Sequence, residues 1–522
     1  MGITDGGAVP STEAGPARLT MRRVAIGAVI ASILIAGYLG VQYREMGGPG
    51  DELEYFEQAA RLIPFVHNYY GPGYFFALRL VHMALPLDWF SAGKVVALLS
   101  LGAFLMACNA LFGRILGERG RWLALLILAV NPQVLYGGYE VTNNMYAAAF
   151  LIAGIWMTTR TGVNDYRGWL LAGLLFGFAY LTRFSSAGYL LGALAGVWLL
   201  QAPLKDKARV TALIAAGAAV PALGWALFLH AVQGFVPANF NFIHLTVALG
   251  RFQSFSEMDQ LAREYGSLWG VIRSDHTVPL RLMALGVKEI IKFPFTMGFK
   301  IYFVLAGLLI PGLLIAVARR NMQAPWLLSF LAGLFLTGLA ARGWGHYYVP
   351  IIPFGVLLIV LAFEQLSQPW GATARRLIAA SLVAVVAGWT VVDTAQSFAT
   401  RNWAEFGVAR RYLEQRLVPG KDVVSSTAAS LIYGSALTFV DHSKITTPDD
   451  PVGLVDRLRQ HGVTYLVISE RHTLFEFPEL RSLLDAVPRN VPDGLQRDTL
   501  ITTPRRLAIY KVLPATGGKE NR

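Results

Sequence analysis

Arg22-Arg23-Val24-Ala25-Ile26-Gly27-Ala28-Val29-Ile30 opens an apolar run that lasts to Val41, and shortly after it comes Gly50-Asp51-Glu52-Leu53-Glu54-Tyr55-Phe56. The run lacks a small-residue cleavage pattern, so it reads as a retained anchor preceded by a polar tail over 1–20. Beyond the anchor, Asp51, Glu52 and Glu54 put three carboxylates at the edge of a membrane, where a charge is costly unless something uses it.

The composition agrees with a membrane protein. The 522 residues are 54% hydrophobic and 15% charged, with a mean hydropathy of +0.47, which excludes an ordinary water-soluble globule. The net charge of +12 suggests nucleic acid at first, yet the basic residues fall in short loops between apolar runs, so it is a topology signal and no nucleic acid is expected. The single cysteine, Cys108, sits in an apolar run and reads as a small buried hydrophobe.

Eleven spans are expected: Val24–Val41, Val95–Leu116, Trp122–Gly138, Met145–Thr159, Trp169–Leu181, Ser185–Leu200, Val210–Val232, Phe295–Ala318, Pro325–Ala341, Tyr348–Phe363 and Leu377–Val392. With the amino terminus in the cytoplasm, the inner loops carry Arg114, Arg119 and Arg121; Arg160 and Arg167; Lys205, Lys207 and Arg209; Arg319 and Arg320; Arg375 and Arg376. Each is positive, as the positive-inside rule requires. The outer side then holds the loops 42–94 and 233–294, tight turns near Glu140, Arg183 and Arg342, and everything after 393. The fold class is therefore an all-α polytopic bundle over 21–392, followed by a small extracytoplasmic α/β domain over 393–522.

In the first outer loop Leu53, Phe56, Ala60 and Ile63 recur at helical spacing, which predicts a short interfacial helix with its apolar face toward lipid. Asp51 with Glu54 three residues on also has the form of a capping box, so a helix cap and a reactive carboxylate are both open readings. Arg183 departs from the charge rule by standing in an outer turn, where a guanidinium fork suits a phosphate; snorkelling to headgroups is the alternative. In the second long loop Arg251, Arg263, Arg273 and His276 read as a solvated or headgroup-facing surface, or as an acceptor entrance. The carboxyl-terminal segment reads as helices over Trp403–Leu417, Pro451–His461 and Pro478–Ala486, with strands over Asp422–Ser425, Ala436–Val440, Thr464–Ser469 and Leu507–Val512.

Asp51-Glu52 with Tyr55 after the first span, Tyr70-Gly71-Pro72-Gly73-Tyr74, Asn131-Pro132 leading to Glu140, Thr182-Arg183-Phe184, and His346-Tyr347-Tyr348-Val349-Pro350-Ile351-Ile352-Pro353 together resemble the GT-C glycosyltransferases. Within them the chain looks most like the branch of dolichyl-phosphate-mannose protein mannosyltransferases and bacterial aminoarabinose transferases, over roughly 22–392. The resemblance implies inverting transfer of a hexosyl or pentosyl group from a polyprenyl-phosphate donor to a glycolipid, glycan or protein acceptor. It implies Asp51 as general base, Glu52 in an orienting or acceptor-binding role, and Glu140 facing them to position the acceptor. Tyr348 matches a position that contacts the lipid phosphate, with Arg342, His346 and Tyr347 beside it; an aromatic belt would also explain the two tyrosines. A departure lies in the first-loop turn, where Tyr70-Gly71-Pro72-Gly73 lacks the branch's lysine, leaving more of the phosphate charge to Arg183 and Arg342. The acidic pair lacks the one-residue separation that binds a metal in oligosaccharide-transferring members, so no cofactor is expected. The expected location is the plasma (inner) membrane with an outward-facing active site; the competing class is a lipid or solute transporter or flippase.

Overall fold

A computed structural model describes residues 16–42, 52–61, 71–234, 264–292, 303–318, 320–341, 348–401, 404–426, 437–442, 445, 453–470, 478–488, 491–503 and 505–514. The chain begins with α1 (Pro16–Gln42), α2 (Glu52–Arg61), α3 (Gly73–Ala84) and α4 (Trp89–Ile115). There follow α5 (Glu118–Ala129), α6 (Pro132–Gly137), α7 (Asn143–Arg160), α8 (Tyr166–Thr182), α9 (Ala187–Trp198) and α10 (Leu204–Gln233). After the second long loop come α11 (Leu268–Ser274), α12 (Val278–Lys292), α13 (Phe303–Ala318), α14 (Arg320–Ala341), α15 (Ile352–Leu366) and α16 (Ala372–Arg401).

Among the described residues four helical segments are long and apolar enough to cross a membrane: Thr20–Val41, Trp89–Ile115, Leu204–Gln233 and Ala372–Gln396. Shorter apolar helices are Phe184–Trp198, Gly307–Ala318, Pro325–Thr337 and Ile352–Leu366. The expected span Trp122–Gly138 is two helices instead. α5 stops at Ala129, and Asn131 caps α6 by accepting from the backbone N–H groups of Gln133 at 2.9 Å and Val134 at 3.2 Å. The cause is Pro132, which cannot continue α5 but fits the first position of a new helix.

The bundle packs α4 on α7, α7 on α8, α8 on α10, α9 on α14, and α13 on α15. The α8–α10 seam is tight because two glycines face each other. A Cβ on Gly173 would stand 2.3 Å from the Ile214 carbonyl oxygen, and one on Gly217 2.3 Å from that of Leu170. Small residues at such seams let backbones touch where lipid leaves no hydrophobic drive for association. One contiguous core runs through the bundle, from Phe104, Phe112 and Trp169 to Trp326 and Phe354; Cys108 is fully buried within it.

α16 runs without a break past residue 393 to Arg401. Beyond it stand α17 (Ala404–Glu414), β1 (Val423–Ser426), β2 (Thr438–Asp441), α18 (Leu454–Gln460), β3 (Tyr465–Ser469), a 3-10 turn over Pro478–Leu484, β4 (Leu495–Ile501) and β5 (Leu507–Val512). The sheet order is β2-β1-β3-β5-β4, with β1 parallel to both neighbours and β5 antiparallel to both of its own. The expected helix over Pro478–Ala486 is thus a 3-10 turn, and β4 was not foreseen. Its sequence Leu495-Gln496-Arg497-Asp498-Thr499-Leu500-Ile501 is polar at its centre, as an edge strand's is.

Candidate active site

α2 is amphipathic, and the structure turns its aromatic face onto protein rather than lipid. Tyr55 meets Tyr74 edge-on at 5.2 Å and Phe75 at 5.9 Å between ring centres, and Phe56 meets Phe90 at 5.1 Å. These rings are buried, which corrects the expected lipid-facing stripe for Phe56. Each such pair is worth about 0.5–1.5 kcal/mol beyond the burial itself. Ala60, also placed on that stripe, is exposed. At the carbonyl end of α2, Arg79 of α3 donates from Nη1 to the backbone oxygens of Ala59 at 3.1 Å and Ala60 at 3.0 Å. A cation on terminal carbonyls satisfies acceptors that the helix leaves open. The amino end, with Glu52, therefore lies at the opposite end of α2 from this clamp.

The turn that opens α3 is pressed onto the end of α8. A Cβ on Gly71 would fall 1.6 Å from the carbonyl oxygen of Leu181, and one on Gly73 2.4 Å from the hydroxyl oxygen of Thr182. Only glycine admits this approach, with Pro72 buried between the two.

Arg183 follows directly. Its Nη1 donates to Asn143 Oδ1 at 3.2 Å and its Nε to Ser185 Oγ at 3.1 Å, while Asn143 Nδ2 donates to the Thr182 carbonyl at 3.1 Å. Asn143 therefore uses both ends of its amide to tie the first turn of α7 to the last of α8. Asn143 and Ser185 thus fix the direction in which the guanidinium fork points.

The Glu140 turn lies between α6 and α7. Glu140 is only 4% exposed, so its side chain sits inside the protein rather than in solvent. Its backbone N–H donates to the Tyr136 carbonyl at 3.0 Å, and its own carbonyl accepts from Thr142 at 3.0 Å. Lys94 of α4 reaches the same turn, where Nζ donates to the Tyr139 carbonyl at 2.6 Å. Thr142, Asn143, Asn144, Thr182 and Ser186 are buried as well, so a polar layer closes this end of the bundle.

Tyr348 is buried in the bundle core ahead of α15, and its carbonyl accepts from Ile351 at 2.8 Å. A belt tyrosine would stand at the surface. Of the other expected site residues, Asp51, Tyr70, Arg342, His346 and Tyr347 lie outside the described residues, and Glu52 is described as backbone only. Sequence reasoning missed Lys94 and the structural part of Asn143. The signal for Lys94 was a lone cation at the very start of an apolar run.

Among the described residues no three His, Cys, Asp or Glu side chains gather as a metal's ligands would.

The family model for dolichyl-phosphate-mannose-protein mannosyltransferase matches residues 71–225, a stretch that holds the Gly71–Gly73 turn, Glu140, Asn143 and Arg183. ArnT from Cupriavidus metallidurans bound to undecaprenyl phosphate superposes with a TM-score of 0.52 at 15% identity, covering 94% of this chain and 99% of that one. The chain carries the GT-C fold. The GT-C fold is shared with the Archaeoglobus fulgidus oligosaccharyltransferase tethered to an acceptor peptide containing the NVT sequon (TM-score 0.54, 11% identity, 94% and 75% covered). It is shared again with AglB of Archaeoglobus fulgidus in complex with an inhibitory peptide and a dolichol-phosphate (TM-score 0.51, 12% identity, 85% and 69% covered). No curated protein matches the chain by sequence.

Proposed function

We propose that this chain is an inverting glycosyltransferase that moves a sugar from a polyprenyl phosphate to a hydroxyl acceptor at the outer face of the plasma (inner) membrane. One observation carries the reading. The Gly71–Gly73 turn, the buried Glu140 turn and Arg183 meet at one end of the bundle, so an anion-binding cation and a buried acid share a water-poor layer. The neighbours that bind undecaprenyl phosphate and dolichol-phosphate support a lipid-phosphate donor.

In this mechanism the acceptor oxygen attacks the anomeric carbon from the side opposite the phosphate, and the configuration inverts. The bond from that carbon to the phosphate oxygen breaks with its electron pair, and the charge that grows there is met by Arg183, held on line by Asn143 and Ser185. Asp51 takes the acceptor's proton; Glu140 and Glu52 orient the acceptor. No acid is needed for the leaving group, since a phosphate dianion leaves without a proton when cations neutralise it.

Purified protein with radiolabelled polyprenyl-phosphate sugars and a membrane extract tests this. Asp51→Asn should lower transfer by about a hundredfold or more while donor lipid still binds. Transfer that survives the change reduces Asp51 to a helix cap, and no transfer from any donor removes the transferase reading.

A further inference from the structure

α12 has two apolar faces, and the protein uses one. Val278 is fully buried. Gly286 closes on α14, since a Cβ there would stand 2.2 Å from the Phe335 ring. The opposite face carries Leu280, Met283, Val287 and Ile291, which recur every three or four residues as one stripe and are 50–70% exposed. Outward residues of the crossing helices, such as Leu34, Met106 and Leu227, are similarly exposed, and there a bilayer covers them.

Length separates α12 from those helices. Its 15 residues span about 22 Å, short of a hydrocarbon core of about 30 Å. Charge then says how it lies. Arg281 and Lys288, two turns apart, stand exposed on one flank of the stripe, with Arg281 also reaching Asp275 at 3.8 Å. Just before it, α11 presents an exposed Trp269 with the Arg273 guanidinium 5.7 Å from the ring centre. An apolar stripe, a basic flank and a tryptophan are what an interfacial helix shows to a lipid surface.

We propose that α11–α12 lies in the membrane interface and takes anionic phospholipid. Acyl chains cover Leu280, Met283, Val287 and Ile291, and headgroup phosphates pair with Arg281, Lys288 and Arg273. The inference stands on this surface alone and does not depend on the transferase reading.

The test uses the full chain reconstituted in phosphatidylcholine with and without phosphatidylglycerol. A spin label is placed through Met283→Cys, the natural Cys108 being buried. The label should collide with oxygen more often than an aqueous label but less often than one placed through Met106→Cys, and be partly shielded from a water-soluble nickel chelate. Nickel access like that of an aqueous label overturns the proposal. So does dipolar coupling between labels, which would put a second copy on the face. Phosphatidylglycerol retained after detergent extraction, counted by mass spectrometry, should drop in Arg281→Gln/Lys288→Gln by about fivefold per charge and hold in Arg281→Lys. An unchanged lipid ratio in the double variant overturns the choice of partner.

Discussion

Two regions of the molecule bury polar side chains, and they treat charge in opposite ways. At the closed end of the bundle, the half-buried Arg183 donates to Asn143 Oδ1 and Ser185 Oγ. In the carboxyl-terminal domain, Ser425, Ser426, Ser469, Glu405 and His442 are buried. There burial, and secondarily the charge of Arg457, pushes His442 down to about 4. Its Nδ1 lies 3.5 Å from Ser425 Oγ. On the proposed mechanism the first layer offers a cation to a phosphate, whereas the second disfavours the charged form of its histidine. Burial of polar groups is therefore no mark of a site until the fate of the charge is known.

Arg183→Ala should break the contrast most sharply, lowering sugar transfer by about a hundred- to a thousandfold with thermal stability nearly unchanged. If stability falls instead and transfer holds, Arg183 is a structural cation and the two layers are alike. His442 gives the next effect. Because its folded pKa lies below the ordinary value of 6.5, the neutral form is the one the fold accommodates. Stability is whole above about pH 6.5 and is lost as pH falls toward 4, by about 3 kcal/mol in the limit. Hydrogen exchange at the β1–β3 amides of the full chain should show this loss, and His442→Gln should remove the pH dependence.

Gly71→Ala sharpens the comparison from the other side. Its Cβ must displace the turn from the Leu181 carbonyl, so about 1–3 kcal/mol of stability and up to about a hundredfold of transfer should go together. Transfer assays and thermal unfolding on one preparation check the coupling. The smallest effect belongs to the Arg506–Glu470 pair at 2.9 Å, both side chains over a third exposed. Arg506 holds the Glu470 carboxyl below its usual range, yet Glu470→Gln should cost under about 1 kcal/mol by chemical denaturation and leave transfer alone.

Much of this was legible because it rests on local rules. Apolar runs place the bundle helices, and the spacing of Val423–Ser426 and Tyr465–Ser469 places the parallel strands. Arg183 stood out as a cation where the topology rule allows few, and Glu140 through the resemblance. What stayed hidden depends on partners distant in the chain. Asn143 carries no signal of its own in the sequence until Thr182 and Arg183, 39 and 40 residues on, are brought to its amide. Lys94 reads as the edge of a span until its ammonium meets the carbonyl of Tyr139, 45 residues away. β4 hides because an edge strand needs few apolar residues, and α2 was turned the wrong way because periodicity says which residues share a face, not what covers it.

The contact between Arg79 and the carbonyls of Ala59 and Ala60 has a mechanical consequence. It welds two short helices into one paddle, with the Gly71–Gly73 turn wedged under α8 at one corner and the amino end of α2 at another. On the proposed mechanism, a lipid phosphate seated beside Arg183 would bear on this turn, and the Arg79 contact ties the helix that the turn opens to α2. Donor and acceptor halves of the reaction would then share a single moving part, and a substitution at Arg79 would uncouple them without touching either substrate.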